Sequence, residues 1–206
     1  MASYVLELFK LVTTSVFIVF GILISDVRNK KTKPLIKQPW ISIMRITYPL
    51  SPICFLYFLW KLNRISIIDV LALAVMVLGT IIVFFAKREL GVNHSWTGYS
   101  TTNITNFIRT GIYEYVRHPL YLGIIIAVAG TGIVVLQRIS TNYLVFCIYI
   151  AGMIFTIVFI NISSTKETKY LEEKFGDEFI EYVEQVPALF PRLSKRNGFE
   201  ADSKNL

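Results

Sequence analysis

Cysteine and histidine are scarce in this sequence, with two of each among 206 residues. Cys54 and Cys147 both fall in apolar runs, where they read as small apolar residues. Neither a disulfide framework nor a metal site is expected from them. No glycine-rich fingerprint follows a strand, because Gly130-Thr131-Gly132 lies inside an apolar run, so nothing matches a dinucleotide-binding Rossmann unit. Internal repeats and low-complexity segments are also lacking. The first apolar run has neither a basic leading region nor an A-x-A-like end, so no cleavable signal peptide is expected. Only the polar stretch from Lys195 to Leu206 reads as a disordered tail, leaving residues 1–192 as one domain.

What fills the chain instead is apolar. Hydrophobic residues make up 54% of it, and the mean hydropathy is +0.55, more than soluble domains of this size carry. Ile65–Ala86 is the clearest run, and its one charge, Asp69, sits a turn from its start. As a helix it spans roughly 33 Å, enough for a bilayer core of about 30 Å. Residues 143–162 and 120–136 are uncharged. Residues 6–25 form another run if Lys10 snorkels. Residues 41–60 contain Arg45, Pro49 and Pro52 and read as one kinked span, bracketed by Trp40 and Trp60 as by interfacial belts. The expected fold is an all-α integral membrane protein of about five transmembrane helices, completed by a cytoplasmic C-terminal helical segment.

The charges give an independent check. Sixteen Lys and Arg residues fall between spans one and two, between spans three and four, and after span five, against Lys61, Arg64 and Arg138 on the other side. By the positive-inside rule the basic side is cytoplasmic, with the N-terminus outside and the C-terminus inside. The net charge of +7 therefore reads as topology and attraction to membrane lipids, not as nucleic-acid binding.

Two polar segments remain on the cytoplasmic side, Lys87–Pro119 and Ser163–Pro191. Spans four and five are joined by a short connection and should form an antiparallel hairpin. The two segments therefore converge at one membrane face, where a pocket is to be sought. In the first, Pro119 suits the first position of a helix. Arg117 and His118 then stand at its positive, open-donor end, which favours an anion. A headgroup contact for Arg117 and an aromatic-belt role for Tyr121 compete with that reading. In the second, Leu171, Phe175, Phe179 and Tyr182 recur at helical spacing as one apolar stripe. Glu167, nearest the end of span five, needs a cationic partner, either a neighbouring side chain or a ligand ammonium.

At these stretches the sequence resembles the isoprenylcysteine carboxyl methyltransferase family, within the wider group of membrane phospholipid-type methyltransferases. The resemblance rests on Gly111-Ile112-Tyr113, Arg117-His118-Pro119-Leu120-Tyr121-Leu122-Gly123, Glu167, Leu171, Phe175-Gly176, Phe179, Tyr182, Val186-Pro187 and Phe190-Pro191-Arg192. Leu90-Gly91-Val92-Asn93 resembles the family's segment after the third span. Roughly residues 85–192 are covered, in the family's order and spacing.

The resemblance implies an S-adenosyl-L-methionine pocket between the start of span four and the C-terminal helices. His118, Pro119, Leu120 and Tyr121 would line it, with Tyr113 as a further wall. Thr105, Asn106, Phe107 and Ile108 would add backbone and apolar contacts. Glu167 would face the cofactor's ammonium, and aromatic rings would favour its sulfonium. The implied reaction is carboxyl O-methylation of a prenylcysteine-like, lipidated substrate reaching the site laterally from the bilayer. Two departures bear on the acceptor. Thr168 stands where relatives often carry a second Glu, and Ser163 where an Arg for the acceptor carboxylate is expected. Arg117 or Lys166 would have to replace that Arg. Methylation of a lipid amine or small lipophilic thiol, with His94 as base, is the first alternative; a related nicotinamide-dependent membrane reductase and a non-catalytic membrane protein are the others.

Overall fold

The computed structural model describes residues 2–25, 32–47, 50–91, 98–101, 106–139 and 143–190. Four helices are long and apolar enough to cross a membrane: α1 (Ala2–Ile24), α4 (Ile67–Leu90), α5 (Pro119–Ile139) and α6 (Tyr143–Phe175). Within the span expected over 41–60 the described helices are α2 (Gln38–Thr47) and α3 (Leu50–Trp60), each alone reaching only about half of a bilayer core. Residues 48 and 49, where the kink was expected, lie outside the described residues. The helix expected over 143–162 runs on unbroken to Phe175. Gly176 then turns the chain with φ 62 and ψ −138, a conformation cheap only without a Cβ, and α7 (Asp177–Gln185) follows. A small antiparallel ladder, β1 (Thr32–Pro34) against β2 (Tyr99–Thr101), joins two connections, with Lys33 opposite Ser100.

The bundle is organised around α4 and α5, whose backbones meet through small residues. A Cβ built on Gly130 would come within 2.7 Å of the Met76 amide and 2.8 Å of the Ala72 carbonyl. One on Gly123 would come within 2.8 Å of the Gly79 carbonyl, and one on Gly79 would collide with the backbone of Ala127. In lipid, where apolar side chains gain little by leaving the solvent, such close backbone approach is a main source of helix association.

Polar contacts pin the ends of these helices. Asp69, buried in the first turn of α4, accepts from the Ser66 amide at 2.9 Å and the Ser66 hydroxyl at 2.8 Å. It also accepts from the Arg138 guanidinium in the last turn of α5. At the opposite end Lys87 of α4 donates to the Leu23 carbonyl and, at 2.9 Å, to the Ser25 carbonyl, capping α1. The end of α1 thus lies level with the end of α4, while α4 begins at the far face. Helices α2 and α3 lie in the connection between α1 and α4. Lys10 does not stand alone in α1: it meets Glu7 at 2.9 Å and lies over the Trp60 ring. Arg45 donates to the Tyr99 hydroxyl at 3.0 Å.

Candidate active site

Antiparallel α5 and α6 bring the residues before α5 beside the second half of α6, and α7 folds back over both. Two backbone bonds lock this convergence: the Arg117 amide donates to the Pro187 carbonyl and the His118 amide to the Ala188 carbonyl, each at 2.9 Å. Chain leaving α7 thus fills the two amides that precede α5, while the first-turn amides of the helix itself, Leu120 and Tyr121, are not among those bonds. Leu189 is carried into the core with Val83, Leu120 and Ile160. Tyr182 ties the same elements together, its hydroxyl donating to the Tyr113 carbonyl at 2.7 Å.

Beneath this closure lies a partly open cleft. Asn106, Phe107, Ile108, Tyr113, Arg117, His118, Leu120, Tyr121 and Glu167 all line it, so nearly every residue singled out from the sequence converges on one cavity. Pro119 does not line it; it is buried as the first residue of α5. Thr105 and His94 lie outside the described residues, as do Val92, Asn93, Arg192 and the tail from 193. Lys166 is exposed on α6. Leu90, Leu171, Phe179 and Tyr182 also line the cleft but were not assigned to it from the sequence. The last three were legible as an apolar stripe, yet periodicity cannot say that part of a stripe faces a cavity.

Phe107 has a second role. Its ring sits 5.4, 5.1 and 5.6 Å from those of Phe175, Phe179 and Tyr182, clamping the segment before α5 onto α7. Arg109 and Glu178, 3.2 Å apart on the exposed rim, bridge the same two segments.

The polar groups are arranged around His118. Its Nδ1 faces Glu167 Oε2 at 3.6 Å, and its Nε2 lies 2.8 Å from the Thr168 hydroxyl. Burial, then the neighbouring Arg117 charge, push the imidazole down to about 3. It is therefore neutral at physiological pH, and its contact with Glu167 is not an ion pair despite the short distance. Tyr121 stacks on the imidazole at 5.5 Å and hydrogen-bonds the Glu167 carboxylate. Burial raises the Tyr113 and Tyr182 hydroxyls, keeping both protonated as donors. Arg117 is the notable group. Its Nε and Nη1 are buried without a hydrogen-bond partner. Burial lowers it, while Tyr182 and Glu172 pull it back, and a guanidinium stays charged in either case. Two buried guanidinium nitrogens without a bond among the described residues suit an anion.

Ser163, at the position where an arginine was expected, is fully buried and turns its hydroxyl back to the Phe159 carbonyl at 2.7 Å. Among the described residues no cluster of His, Cys, Asp and Glu suits a metal ion.

A family model described as phospholipid methyltransferase matches residues 67–178, just over half of the chain. The chain belongs to the phospholipid methyltransferase family. The family segment runs from the start of α4 to the first turn of α7, and it holds all the cleft residues except Phe179 and Tyr182. The chain is similar to a protein-S-isoprenylcysteine O-methyltransferase of Schizosaccharomyces pombe, 31% identical over 62% of this chain and 51% of that protein. Its likeness to the Saccharomyces cerevisiae protein of the same name is 28% over 56% and 48%. A methanethiol S-methyltransferase of Pseudomonas deceptionensis is 30% identical over 42% of this chain and 29% of that protein. The chain spans about half the length of the isoprenylcysteine relatives. With four helices suited to crossing a membrane, it is an integral membrane member of the family.

Proposed function

We propose that this protein transfers a methyl group from S-adenosyl-L-methionine to a lipophilic acceptor at the membrane face, most fittingly the carboxylate of a prenylcysteine-like substrate. The observation that carries this reading is one cleft lined by Glu167, several aromatic rings and an Arg117 with two buried nitrogens unbonded among the described residues. Those groups fit the two reactants: a carboxylate for the cofactor's ammonium, ring faces for its sulfonium, and a guanidinium for the acceptor's carboxylate. When bound, S-adenosyl-L-methionine supplies an electrophilic methyl group that leaves as its sulfonium becomes a thioether. Glu167 orients the ammonium, and the rings of Phe107, Tyr121 and Tyr182 exclude water. Arg117 holds the acceptor carboxylate in line, and an ionised carboxylate needs no general base. Positioning and a dry cleft supply the acceleration.

The bundle geometry and the basic residues of one face support a five-pass arrangement with the N-terminus outside and the cleft cytoplasmic. A reporter fused at Leu206 should then read cytoplasm and one after Arg138 should not; a cytoplasmic reading at Arg138 removes this topology.

Glu167→Gln should weaken cofactor binding to the purified protein by about 1.5–3 kcal/mol, the worth of a hydrogen bond to a charged group. Exposed Glu173→Gln should leave it unchanged. Arg117→Ala should slow transfer to a farnesylated cysteine analogue while cofactor affinity holds. A second reading, methylation of a small lipophilic thiol, is favoured by Ser163, which offers no charge to an acceptor. There Arg117 would serve the cofactor's own carboxylate. Loss of cofactor affinity in Arg117→Ala, with no turnover of the farnesylated analogue, selects that reading.

A further inference from the structure

We propose that Thr168 is a positioning residue of this cleft: its hydroxyl donates to Nε2 of His118 and holds the imidazole as the neutral Nδ1–H tautomer, which leaves the negative charge of Glu167 free for a cationic ligand. The inference rests on the cofactor pocket proposed above, but its core is a statement about the empty protein.

A neutral imidazole has one donor and one acceptor nitrogen. Here Nδ1 looks at a carboxylate oxygen 3.6 Å away and Nε2 at a hydroxyl 2.8 Å away, so the two possible tautomers are unequal. With the proton on Nε2, the Nδ1 lone pair of the buried imidazole would face the lone pairs of an ionised Glu167. With the proton on Nδ1, that repulsion becomes attraction, and Nε2 requires a donor. A threonine hydroxyl rotates to supply one. A valine would leave Nε2 bare. A carboxylate at 168 could only accept, and would call for a second proton on the ring. The groups facing His118 make that proton unwelcome or costly. Arg117 repels it from the preceding position, and Tyr121 on α5 covers the ring face. Glu167 on α6 would be cancelled by it, while Glu172 of α6 and Tyr182 of α7 act on Arg117 instead. A cationic His118 would therefore remove the acidic charge that Glu167 brings to the cleft.

The chain has only two histidines, so ¹⁵N-histidine NMR of the His94→Gln protein in detergent reads His118 alone. We expect a protonated Nδ1 and an unprotonated Nε2, kept in Thr168→Ser and shifted toward the other tautomer in Thr168→Val. A proton on Nε2 in the parent, or an unchanged tautomer in Thr168→Val, overturns the proposal. In the natural chain, Thr168→Val should weaken S-adenosyl-L-methionine binding about tenfold, and Thr168→Ser should restore it to within about threefold. Equal affinities for the Val and Ser variants overturn the functional half. If the natural chain binds no S-adenosyl-L-methionine while the tautomer responds as expected, the pocket reading fails and the role of Thr168 in orienting His118 stands.

Discussion

Helices α1 and α5 are almost equally apolar, with mean hydropathy 2.0 and 2.3 over their most apolar windows, yet 67% of the α5 window is buried against 17% of the α1 window. The difference lies in the residues that permit close approach. On α5, Gly123, Ala127 and Gly130 bring the backbone against α4. On α1, Val12, Ile18, Val19 and Ile22 point outward, a face made for lipid tails, and a Cβ on Gly21 would meet nothing. Apolarity recruits a helix to the membrane; small side chains at the right spacing decide which helix becomes its centre. The cleft depends on that choice, since His118 and Tyr121 are aimed by the start of the central helix.

The largest expected effect therefore falls on α5. Gly130→Ala should destabilise the detergent-solubilised protein by about 3 kcal/mol, because the new methyl meets backbone, which cannot rotate away. Thermal unfolding measures it, and a loss comparable to an ordinary surface change would mean that α4 and α5 are not in contact as described.

A smaller effect sharpens the comparison at the start of α5. His118 is held near 3 when folded, against about 6.5 when unfolded. Between those values the unfolded chain binds the proton on this ring and the folded one does not, so the contribution of His118 is full above about 6.5 and falls as pH drops. The slope from this group is about 1.4 kcal/mol per pH unit. His118→Gln should flatten this dependence, and melting curves at pH 7, 6 and 5 on both proteins test it. An unchanged slope would place the titration elsewhere.

The smallest effect belongs to α1. Ile22→Ala, on the outward face, should change stability by no more than about 0.5 kcal/mol. A loss rivalling that of Gly130→Ala would show that α1 has a partner on that face and would dissolve the contrast between the two helices.

Much of this was legible in order along the chain. The run at 65–86 reappears as Ile67–Leu90 and the run at 120–136 as Pro119–Ile139, because an uninterrupted apolar stretch in a bilayer has few ways other than a helix to satisfy its backbone. The change from apolar to polar residues after Ile162 marked the end of the expected span, and the helix itself continues to Phe175. Leu171 and Phe175 anchor the extension by packing with Phe179 and Tyr182. Pro49 and Pro52 pointed to a kink, and residues 48 and 49 lie outside the described residues.

The site divides the same way. Composition and charge by themselves determined that this is a membrane protein, and the resemblance of its motifs to a methyltransferase family implied that Arg117, His118, Tyr121 and Glu167 belong together, because hydropathy and motif order are properties of the chain. Only the tertiary structure decided that the amides of Arg117 and His118 are filled by Pro187 and Ala188, that Nε and Nη1 of Arg117 are unbonded among the described residues, and that Thr168 rather than a second carboxylate meets His118. Those contacts join residues 50 to 70 positions apart. Their energies depend on which groups the fold dries out and sets within about 3 Å of each other, and no local pattern in the chain carries that information.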